Sequence, residues 1–526
     1  MLELVELVLQ KGMKLMDKYY ITTPIYYPSA NFHIGHCYTT IIADSIARYK
    51  RLTGYDVFFL TGTDEHGEKI EKKAKEKGVS PKEYVDEIVS NAKDLWKSLN
   101  ISYDKFIRTT DSYHEKAVAK IFNKLYEQGD IYKGEYKGLY CTPCEAFWTE
   151  TQLIDGKCPD CGREVHEVKE ESYFFKLSKY QDKILEYYDK HPDFIEPVSR
   201  KNEMVNNFLK PGLEDLCVSR TSFDWGVPVT FDPKHVIYVW IDALSNYITA
   251  LGYMSDDDSL FKKYWPANLH LVGKEIIRFH TIIWPALLMA LDLPLPDKVF
   301  GHGWLVIDGG KISKSLGNYK DPREYINDYG VDAVRYFVLR EVSFGNDGSF
   351  SEDALVARTN ADLANVLGNL VNRTISMSKK YFDGVVTNGE IYEKVDTDLI
   401  NTASNLYKVV DNKMESLHIS DALDCIFDLL RKCNKYIDDT APWVLFKNEE
   451  MNARLSTVLY NLLERIRISS VLLFPFIPTT SMEIFKQLNT NETSYESVKE
   501  YGRLEKGIVL NDPKPLFMRI DLNKEK

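Results

Sequence analysis

Two short motifs in this sequence combine residue types that suit chemistry on phosphate groups. The first is His33-Ile34-Gly35-His36, which we expect at the start of a helix, directly after a strand and loop. A helix N-terminus offers unpaired N–H groups and the positive end of a dipole, and Gly35 allows a ligand to approach the backbone. Two imidazoles one turn apart can donate hydrogen bonds to a phosphoryl group that gains charge in the transition state. Taken alone, the motif is only suggestive.

The second motif is the loop Lys311-Ile312-Ser313-Lys314-Ser315. Its two lysines can close over a polyphosphate and neutralise the charge that develops on a leaving pyrophosphate. Such a segment is more often a solvated surface loop. The presence of both motifs in this order in one chain favours the phosphate-binding role for each.

Four cysteines form two C-x2-C pairs, Cys141/Cys144 and Cys158/Cys161, with thirteen residues between the pairs. Four thiolates at this spacing can surround one Zn²⁺ in a closed structural site. A redox dithiol is the alternative, but it does not need two matched pairs. The other cysteines have no partner at such spacing and are expected to be buried or free thiols: Cys37, Cys217, Cys425 and Cys433.

The secondary-structure elements that must position these residues start, near the N-terminus, with alternating strands and helices. Tyr19–Thr23 predicts a buried strand that ends at Pro24, and Gly35–Lys50 predicts a helix. Asp56–Thr61 predicts a second strand, and Ser80-Pro81 predicts an N-cap with proline at the first helical position. Alternating strands and helices indicate a parallel sheet.

A turn-rich segment interrupts this alternation of strands and helices, and a purely helical pattern replaces it near the C-terminus. Ile131–Arg220 is turn-rich and holds the clustered cysteines, which indicates an insertion that splits a doubly wound, Rossmann-type α/β fold. The α/β pattern is expected to return, and beyond Asp353 the sequence predicts an α-helical bundle. The strands are expected in His235–Ile241, His270–Val272 and Val299–Ile307, and the helices in Leu355–Tyr381, Leu399–Leu417, Asp421–Asp438 and Met451–Leu473.

Composition places the chain among globular proteins. Its 526 residues include 66 Lys and Arg against 78 Asp and Glu, a formal net charge of −12. A prior of about 150 residues per domain suggests three or four domains. Apolar residues make up 44% and charged residues 27%, which excludes a disordered or fibrous chain. The acidic balance alone argues against a general nucleic-acid binder, so any such binding must rest on local features.

The sequence also predicts a location. Met1–Met16 carries Glu3 and Glu6 inside its apolar run and lacks a small-residue cleavage site, so we do not expect a signal peptide. Translation could equally start at Met13 or Met16. No apolar run reaches the roughly 20 residues that cross a bilayer. Clustered cysteines in a long chain are typical of a reducing compartment. We expect a cytoplasmic protein with no membrane partner.

With its two motifs, the chain resembles the class I aminoacyl-tRNA synthetases, whose signatures are HIGH-type and KMSKS-type motifs. Within that class it is most similar to the methionyl-tRNA synthetase family, from Lys18 to about Ile520. Relatives for isoleucine, leucine, valine or cysteine share the signatures but not the combination of further segments. Those segments are Pro24-Ile25-Tyr26-Tyr27, Thr61-Gly62-Thr63-Asp64-Glu65-His66-Gly67, Tyr238-Val239-Trp240-Ile241-Asp242-Ala243, Gly273-Lys274-Glu275-Ile276 with His280, and Ala441-Pro442-Trp443.

The resemblance implies a two-step reaction. Methionine reacts with ATP, aided by Mg²⁺, to give methionyl-adenylate and pyrophosphate, and the amino acid then passes to the 3′ terminal adenosine of tRNA(Met). It implies catalytic roles for His33, His36, Lys311 and Lys314, and ATP binding by these together with Gly35, Ser313 and Ser315. Two alternatives stay open: a class I synthetase for another amino acid, and a tRNA-binding or regulatory paralogue without catalysis. The intact histidines and lysines argue against the paralogue.

A methionine side chain is unbranched, polarisable and apolar, so its pocket needs aromatic walls and few polar groups. The resemblance assigns Asp64 to the substrate ammonium, with Arg220 as the matching arginine, and places Tyr27 and His280 near the sulfur. Where a common bacterial form has Leu and Pro, this chain has Ile25 and Leu244. The full set of implied methionine-binding residues is Ile25, Tyr27, Asp64, Trp240, Ala243, Leu244, Tyr247, Ile276 and His280.

Nucleic-acid recognition is expected in the helical C-terminal region. Asn365, Asn369 and Arg373 recur every four residues and form one polar stripe, opposite an apolar face that includes Leu363 and Leu367. Such side chains can contact the edges of unstacked bases, and Trp443 can stack on one. The resemblance assigns these four residues to the CAU anticodon. A solvated helix face, and a core position for Trp443, are the alternatives.

These patterns divide the chain into predicted segments. The sequence ends soon after Ile520, without the further tRNA-binding and dimerisation domain of some relatives, from which we expect a monomer. The segments are an N-terminal extension (1–17), the first half of a Rossmann catalytic domain with the HIGH-type motif (18–130), a connective insertion with a zinc knuckle (131–230), the second Rossmann half (231–300), a stem-contact region with the KMSKS-type loop (301–353), and an all-α anticodon-binding bundle (354–526).

Overall fold

The computed structural model describes residues 17–142, 144, 146–148, 150–238, 240–307, 320–342 and 345–521. These residues form two compact units. The first comprises the described residues up to Ala43 together with Tyr55–Lys97 and Ile101–Trp304. The second comprises Asp44–Gly54, Ser98–Asn100 and the described residues from Leu305 onward.

A parallel sheet forms the framework of the first unit, as predicted. Its central strand, Lys18–Tyr26, pairs with Asp56–Thr63 on one side and Leu269–Gly273 on the other, in the register Tyr20↔Phe58 and Ile21↔Leu269. Both faces are covered, which is why the strands are buried along almost their whole length. The six strands among the described residues lie in the order Lys105–Arg108, Asp56–Thr63, Lys18–Tyr26, Leu269–Gly273, Val299–His302 and Ile195–Glu196.

The first strand is longer than predicted. It does not end at Pro24 but continues to Tyr26, with a shift in register between Thr22 and Ile25. Proline has no N–H to donate to a ladder, and a bulge at this point removes the need for that donor. A hydrogen bond of 2.7 Å between Thr23 Oγ1 and Thr61 Oγ1 joins the two strands beside the bulge.

The expectation of a strand in His235–Ile241 is wrong for most of that segment. Val236–Ile237 pairs antiparallel with Val227–Pro228 and Ser219–Arg220 in a separate small sheet. A helix, Trp240–Thr249, begins where the strand was expected to continue. A short apolar run that is buried all round has no periodicity that distinguishes a strand from a helix.

The remaining elements of the first unit surround the sheet or form the turn-rich region. Four antiparallel strands make up the knuckle-bearing sheet: Ile131–Cys141, Ala146–Trp148, His166–Phe175 and Leu216–Cys217. The two-residue strand Ile195–Glu196 lies in the same turn-rich stretch yet pairs with the parallel sheet. The α-helices that lie wholly or partly in this unit are Ile34–Leu52, Glu68–Lys77, Pro81–Ser98, Ser112–Glu127, Gln181–Lys190, Val198–Met204, Trp240–Thr249, Ser259–Tyr264 and Trp284–Ala290.

Helices dominate the second unit, as predicted. Asn452–Leu473 is its most buried helix, with every residue from Arg454 to Leu473 covered. The predicted Leu355–Tyr381 helix contains a π-helical segment, Thr359–Gly368, between Glu352–Arg358 and Asn369–Phe382. The others are Pro322–Tyr329, Val331–Glu341, Lys394–Glu415, Ile419–Thr440, Pro442–Leu445 and Pro478–Leu488, and Leu305–Ile307 pairs with Gly348–Phe350.

Pro478–Leu488 was missed because its proline and threonines mimic a loop, although proline is well tolerated in the first turn of a helix. Among the described residues, no helix is long and apolar enough to cross a membrane. The predicted domain boundaries stay predictions.

Candidate active site

The His33–His36 motif opens a helix, as expected, and its histidines are held by backbone amides. The helix begins at Ile34. The Gly35 N–H donates to His33 Nδ1 and the His33 N–H donates to His36 Nδ1, each at 3.1 Å. Because a backbone N–H can only donate, each Nδ1 is an acceptor, and the proton of each neutral ring lies on Nε2. The motif therefore presents two Nε2–H donors from rings whose centroids are 4.0 Å apart.

The His36 imidazole is neutral. Burial lowers its pKa well below the usual range, and the neighbouring His33 lowers it further. Its ring stacks on Phe32 with centroids 4.8 Å apart and lies edge-on to Tyr26 at 5.4 Å. The ring is therefore uncharged near neutral pH and carries one N–H donor. It can orient and stabilise an anionic ligand by hydrogen bonding.

Lys311, Ser313, Lys314 and Ser315 lie outside the described residues. Their assignment to phosphate binding stays a prediction.

The candidate methionine pocket is built from apolar and aromatic side chains on the helix Trp240–Thr249, the turn Lys274–Ile276 and the π-helical turn Phe279–Ile283. The Trp240 ring stacks on Phe279 with centroids 3.5 Å apart and planes 12° from parallel. Ile25, Leu244 and Ile276 pack in the same cluster of apolar residues as these rings. Ala243 is buried one residue before Leu244. The structure thus brings five of the predicted methionine-binding residues together, including Tyr247.

The polar atoms of this pocket are internally satisfied. His280 Nδ1 lies 2.9 Å from the Ile276 carbonyl, to which it must donate, so Nε2 is the acceptor. The Tyr247 hydroxyl donates to that Nε2 at 2.7 Å. Burial lowers the pKa of His280 to about 4 and raises that of Tyr247 far above its usual value. Both groups are therefore neutral at pH 7, which suits an uncharged thioether.

Asp64 and Tyr27 each follow directly after a strand of the parallel sheet, Asp56–Thr63 and Lys18–Tyr26, but their surroundings differ. The Asp64 N–H donates to the Tyr26 carbonyl at 2.9 Å, which fixes the segment at the end of the sheet. Its carboxylate adds to the effect of burial in raising the pKa of Tyr247. Tyr27 packs with a separate apolar cluster, and the Lys69 ammonium lies 5.3 Å from its ring.

Arg220, predicted as the matching arginine of the ammonium site, is fully buried in an aromatic sandwich. Its guanidinium lies 4.4 Å from the centre of the Tyr140 ring and 4.8 Å from that of Tyr238. Cation–π contacts of this kind fix the orientation of the guanidinium. Arg220 therefore connects the knuckle-bearing sheet with the segment that leads into the pocket helix.

The four clustered cysteines converge as predicted. Cys141 Sγ lies 3.5 Å from Cys161 Sγ, and Cys158 Sγ lies 3.9 Å from Cys144 Sγ. All four sulfurs lie within 4.8 Å of one another. A tetrahedral Zn²⁺ with bonds of about 2.3 Å requires sulfurs about 3.8 Å apart, so the donor set fits this ion.

A second group of metal-binding residue types has a different explanation. Glu171, Asp232 and His235 bring ligand atoms within 4.8 Å of one another. The Lys133 ammonium lies 2.8 Å from both carboxylates, which raises the pKa of that lysine. A lysine already provides the positive charge here, so this group is an ion-pair cluster.

The predicted anticodon residues lie on the surface of the second unit. Asn365, Asn369 and Arg373 are exposed along one stripe, and the Asn369 side chain donates to that of Asn365 at 3.4 Å. The opposite face, which includes Leu363 and Leu367, is buried. Trp443 is 43% exposed at the start of the one-turn helix Pro442–Leu445. The core alternative for Trp443 is therefore wrong.

Comparison with known families decides the identity. The family model described as "tRNA synthetases class I (M)" matches residues 19–167 and 162–375. The model of the anticodon-binding domain of methionyl tRNA ligase matches residues 386–526. The chain belongs to the methionyl-tRNA synthetase family.

Individual relatives agree with this family. The methionine–tRNA ligase of Caldanaerobacter subterraneus subsp. tengcongensis is 64% identical over 509 residues, which span 96% of this chain and 80% of the relative. That of Clostridium perfringens is 61% identical over 507 residues, 96% of this chain and 79% of the relative. The Mycobacterium tuberculosis methionyl-tRNA synthetase in complex with methionyl-adenylate has 44% identity and a TM-score of 0.92, over 95% of this chain and all of that one.

The apo form of the same mycobacterial enzyme matches with a TM-score of 0.85 and 42% identity, over 96% of this chain and 99% of that one. The confirmed fold of this synthetase is thus a Rossmann-type parallel sheet with a four-cysteine cluster and a C-terminal helical domain.

Sequence reasoning missed one buried group in this synthetase, made of His66, Asp242 and His114. The first two lie in the family-specific segments that begin at Thr61 and Tyr238. The available signal was the presence of a basic and an acidic residue, His66 and Asp242, in segments that are mostly buried, because buried charges are normally paired.

Proposed function

We propose that this chain is a methionine–tRNA ligase. It joins L-methionine to AMP from ATP, releases pyrophosphate, and passes the methionyl group to the 3′ terminal adenosine of tRNA(Met). The observation that carries this assignment is the neutral pair in which Tyr247 donates to His280, on the two elements that also carry the stacked rings of Trp240 and Phe279. It offers polarisable aromatic surface and no charge, which is what a thioether requires.

In the first step, a methionine carboxylate oxygen attacks the α-phosphorus of ATP in line, and the bond to the departing pyrophosphate breaks. The Nε2–H groups of His33 and His36 donate to phosphate oxygens as charge develops. Lys311 and Lys314 neutralise the pyrophosphate. Mg²⁺ carried with ATP supplies further charge compensation on the phosphates. No enzyme atom forms a covalent bond to substrate, so binding and orientation provide the catalysis.

Methionine is held at both ends. Asp64 binds the ammonium group by charge pairing. Ile25, Ala243, Leu244 and Ile276 surround the side chain, together with the aromatic residues already described. Tyr27 packs with a separate apolar cluster, so its assignment to the sulfur end rests on the family resemblance alone. The neutral His280 and Tyr247 face the thioether without imposing a charge on it.

In the second step, the 2′ or 3′ hydroxyl of the terminal adenosine attacks the methionyl carbonyl carbon, and AMP leaves. Recognition of the tRNA occurs at its anticodon through the exposed Asn365, Asn369 and Arg373, with stacking on Trp443. A net acidic chain can bind tRNA in this way because the contacts are local.

The four cysteines Cys141, Cys144, Cys158 and Cys161 hold one Zn²⁺, which cross-links the knuckle and has no part in the chemistry of methionine activation. A monomeric state and a cytoplasmic location are also proposed. Sedimentation of the purified chain and fractionation of cells that produce it test these two.

The decisive experiment is amino-acid-dependent ATP–pyrophosphate exchange with a panel of amino acids. Exchange with methionine, at least a hundredfold above isoleucine, leucine, valine and cysteine in kcat/KM, is expected, and charging of tRNA(Met) should follow. His36→Ala provides the matched control, because it removes one phosphate donor and leaves the methionine pocket intact. Preferred exchange with another amino acid would assign a different class I synthetase. A folded chain that supports no exchange would favour a non-catalytic paralogue.

A further inference from the structure

Three buried side chains, His66, Asp242 and His114, form a hydrogen-bonded group in the first unit. Asp242 Oδ2 lies 2.7 Å from His66 Nδ1, and Asp242 Oδ1 lies 2.9 Å from His114 Nε2. Asp242 and His114 are fully buried, and His66 is 4% exposed. Each carboxylate oxygen thus accepts one imidazole N–H.

The pair His66–Asp242 is ionised. Burial opposes the charge on His66, but Asp242 outweighs it and raises the pKa of His66 to about 10. Burial likewise opposes ionisation of Asp242, yet His66 and His114 lower its pKa to about 2. Glu115, 3.5 Å from His66 Nε2, and Asp64 also favour the charged imidazolium. A buried ion pair contributes little net stability, but it can specify one arrangement of the elements that it joins.

The elements joined here are those that hold the two ends of methionine. His66 follows Asp64, the proposed ammonium ligand, by two residues. Asp242 lies in the first turn of the helix that carries the side-chain pocket, between Trp240 and Ala243. The ion pair therefore ties the ammonium site directly to the side-chain pocket.

His114 holds the same helix at both ends. While its Nε2 donates to Asp242, its Nδ1 lies 2.7 Å from the hydroxyl of Thr249, the last residue of the helix. His114 itself belongs to the helix Ser112–Glu127 and is fully buried there. One imidazole thus spans the first and last turns of the pocket helix and prevents it from sliding along its axis.

We propose that His66, Asp242 and His114 are positioning residues that set the distance between the ammonium site and the side-chain pocket, and thereby the affinity for methionine. This inference rests on the proposed function. The three residues act through Asp64, Trp240 and their neighbours and do not touch the substrate. A substrate fixed at both ends is sensitive to a displacement of one end by about 1 Å, which can lower catalytic efficiency roughly a hundredfold.

The test compares His66→Ala with His66→Asn. The asparagine Nδ2 lies where the imidazole Nδ1 was, so it retains the hydrogen bond to Asp242 without the charge. Asp130→Asn is the matched control: Asp130 is also a buried carboxylate, paired with Lys179 at 2.6 Å, and contacts none of the pocket residues. The measurements are the separate KM values for methionine and ATP in pyrophosphate exchange, methionine binding by calorimetry without ATP, and thermal melting.

His66→Ala should raise the methionine KM and dissociation constant at least tenfold while the ATP KM changes less than twofold. His66→Asn should restore most of the loss, and Asp130→Asn should leave both KM values unchanged. A folded His66→Ala protein with an unchanged methionine KM, or with equal increases in both KM values, would overturn the proposal. Absence of methionine exchange in the unmodified protein would instead refute the proposed function.

A milder variant keeps the idea testable if His66→Ala does not fold. Thr249→Val removes only the hydroxyl that holds His114 and preserves the shape of the side chain. We expect a several-fold rise in the methionine KM with little change for ATP. A methionine KM equal to that of the unmodified protein would contradict the role of His114.

Discussion

Replacing Trp443 with alanine tests the anticodon surface apart from the site of methionine activation. The ring is 43% exposed on a one-turn helix, and Val444 and Phe446 beside it are exposed to similar degrees. Clustered exposed apolar residues of this kind mark binding surfaces more often than they serve the core. The Trp443→Ala change therefore removes an exposed ring, which we propose to face an anticodon base, and only part of a packing contact.

Two magnitudes follow from this placement. Base–aromatic stacking is worth roughly 1–3 kcal/mol, which is about 5- to 150-fold in kcat/KM for tRNA. Removal of a fully buried tryptophan costs about 3–5 kcal/mol, and nearly half of this ring is exposed, so a loss of about 2 kcal/mol of stability is expected. In a unit of this size that corresponds to a fall in Tm of roughly 4–8 °C.

The assay measures aminoacylation with varied tRNA concentration, exchange without tRNA, and melting on the same preparation. Tyr392→Ala is a suitable control, because Tyr392 is 48% exposed in the same unit and is not assigned to the anticodon. Both variants should lose similar stability, but only Trp443→Ala should lose charging efficiency. Trp443→Phe should retain most of it, since a phenyl face can still stack.

Exchange without tRNA should stay at the level of the unmodified protein in every one of these variants. Normal charging by a folded Trp443→Ala protein would refute the anticodon role. Equal loss of charging in Tyr392→Ala would show that stability, rather than stacking, limits the reaction.

Three further predictions concern the first unit and the lysine loop. Lys314→Ala should lower kcat for exchange at least a hundredfold with little effect on the methionine KM, because the charge it neutralises appears in the transition state; an unchanged kcat with a raised methionine KM would contradict this. Metal analysis under reducing conditions should find about one Zn²⁺ per chain, and Cys158→Ser should lose it whereas Cys217→Ser, a buried cysteine outside the cluster, should not; zinc-free native protein would exclude the site. His280 has a pKa of about 4 when folded and about 6.5 when unfolded, so its neutral form stabilises the protein fully above pH 6.5 and progressively less as the pH falls towards 4. The stability difference between the unmodified protein and His280→Gln, measured by denaturant titration, should therefore shrink by about 1.4 kcal/mol per pH unit in that window, and a constant difference would show that folding does not lower the pKa of His280.

Local features of this chain could be predicted from the sequence because their physical causes are local. Ser80 is the expected N-cap, since its hydroxyl accepts from the Glu83 N–H at 3.2 Å, and the Glu83 carboxylate in turn accepts from the Ser80 N–H. The stripe of Asn365, Asn369 and Arg373 is exposed as its four-residue period requires. The cysteine spacing likewise predicted the convergence of four sulfurs, since each C-x2-C pair brings two thiols to one turn.

Other features depended on contacts between residues far apart in the chain, and only the tertiary structure decided them. Val236–Ile237 joined a small antiparallel sheet, and Ile195–Glu196 became an edge strand of the parallel sheet, because short segments take the partner that the fold offers. The exposure of Trp443 likewise could not be read from its own segment.

The chemistry of the site shows the same division. Residue types and spacing named His33 and His36 as site residues, and the family resemblance named His280, but neither indicated which ring nitrogen of each carries the proton. Backbone groups decide this: amides donate to the Nδ1 atoms of the first two, and a carbonyl accepts from that of the third. The ion pair of His66 with Asp242 joins residues 176 positions apart, so no local pattern encodes it. The sequence determines which groups are present, and the fold determines their protonation, because protonation depends on burial and on partners that only folding brings together.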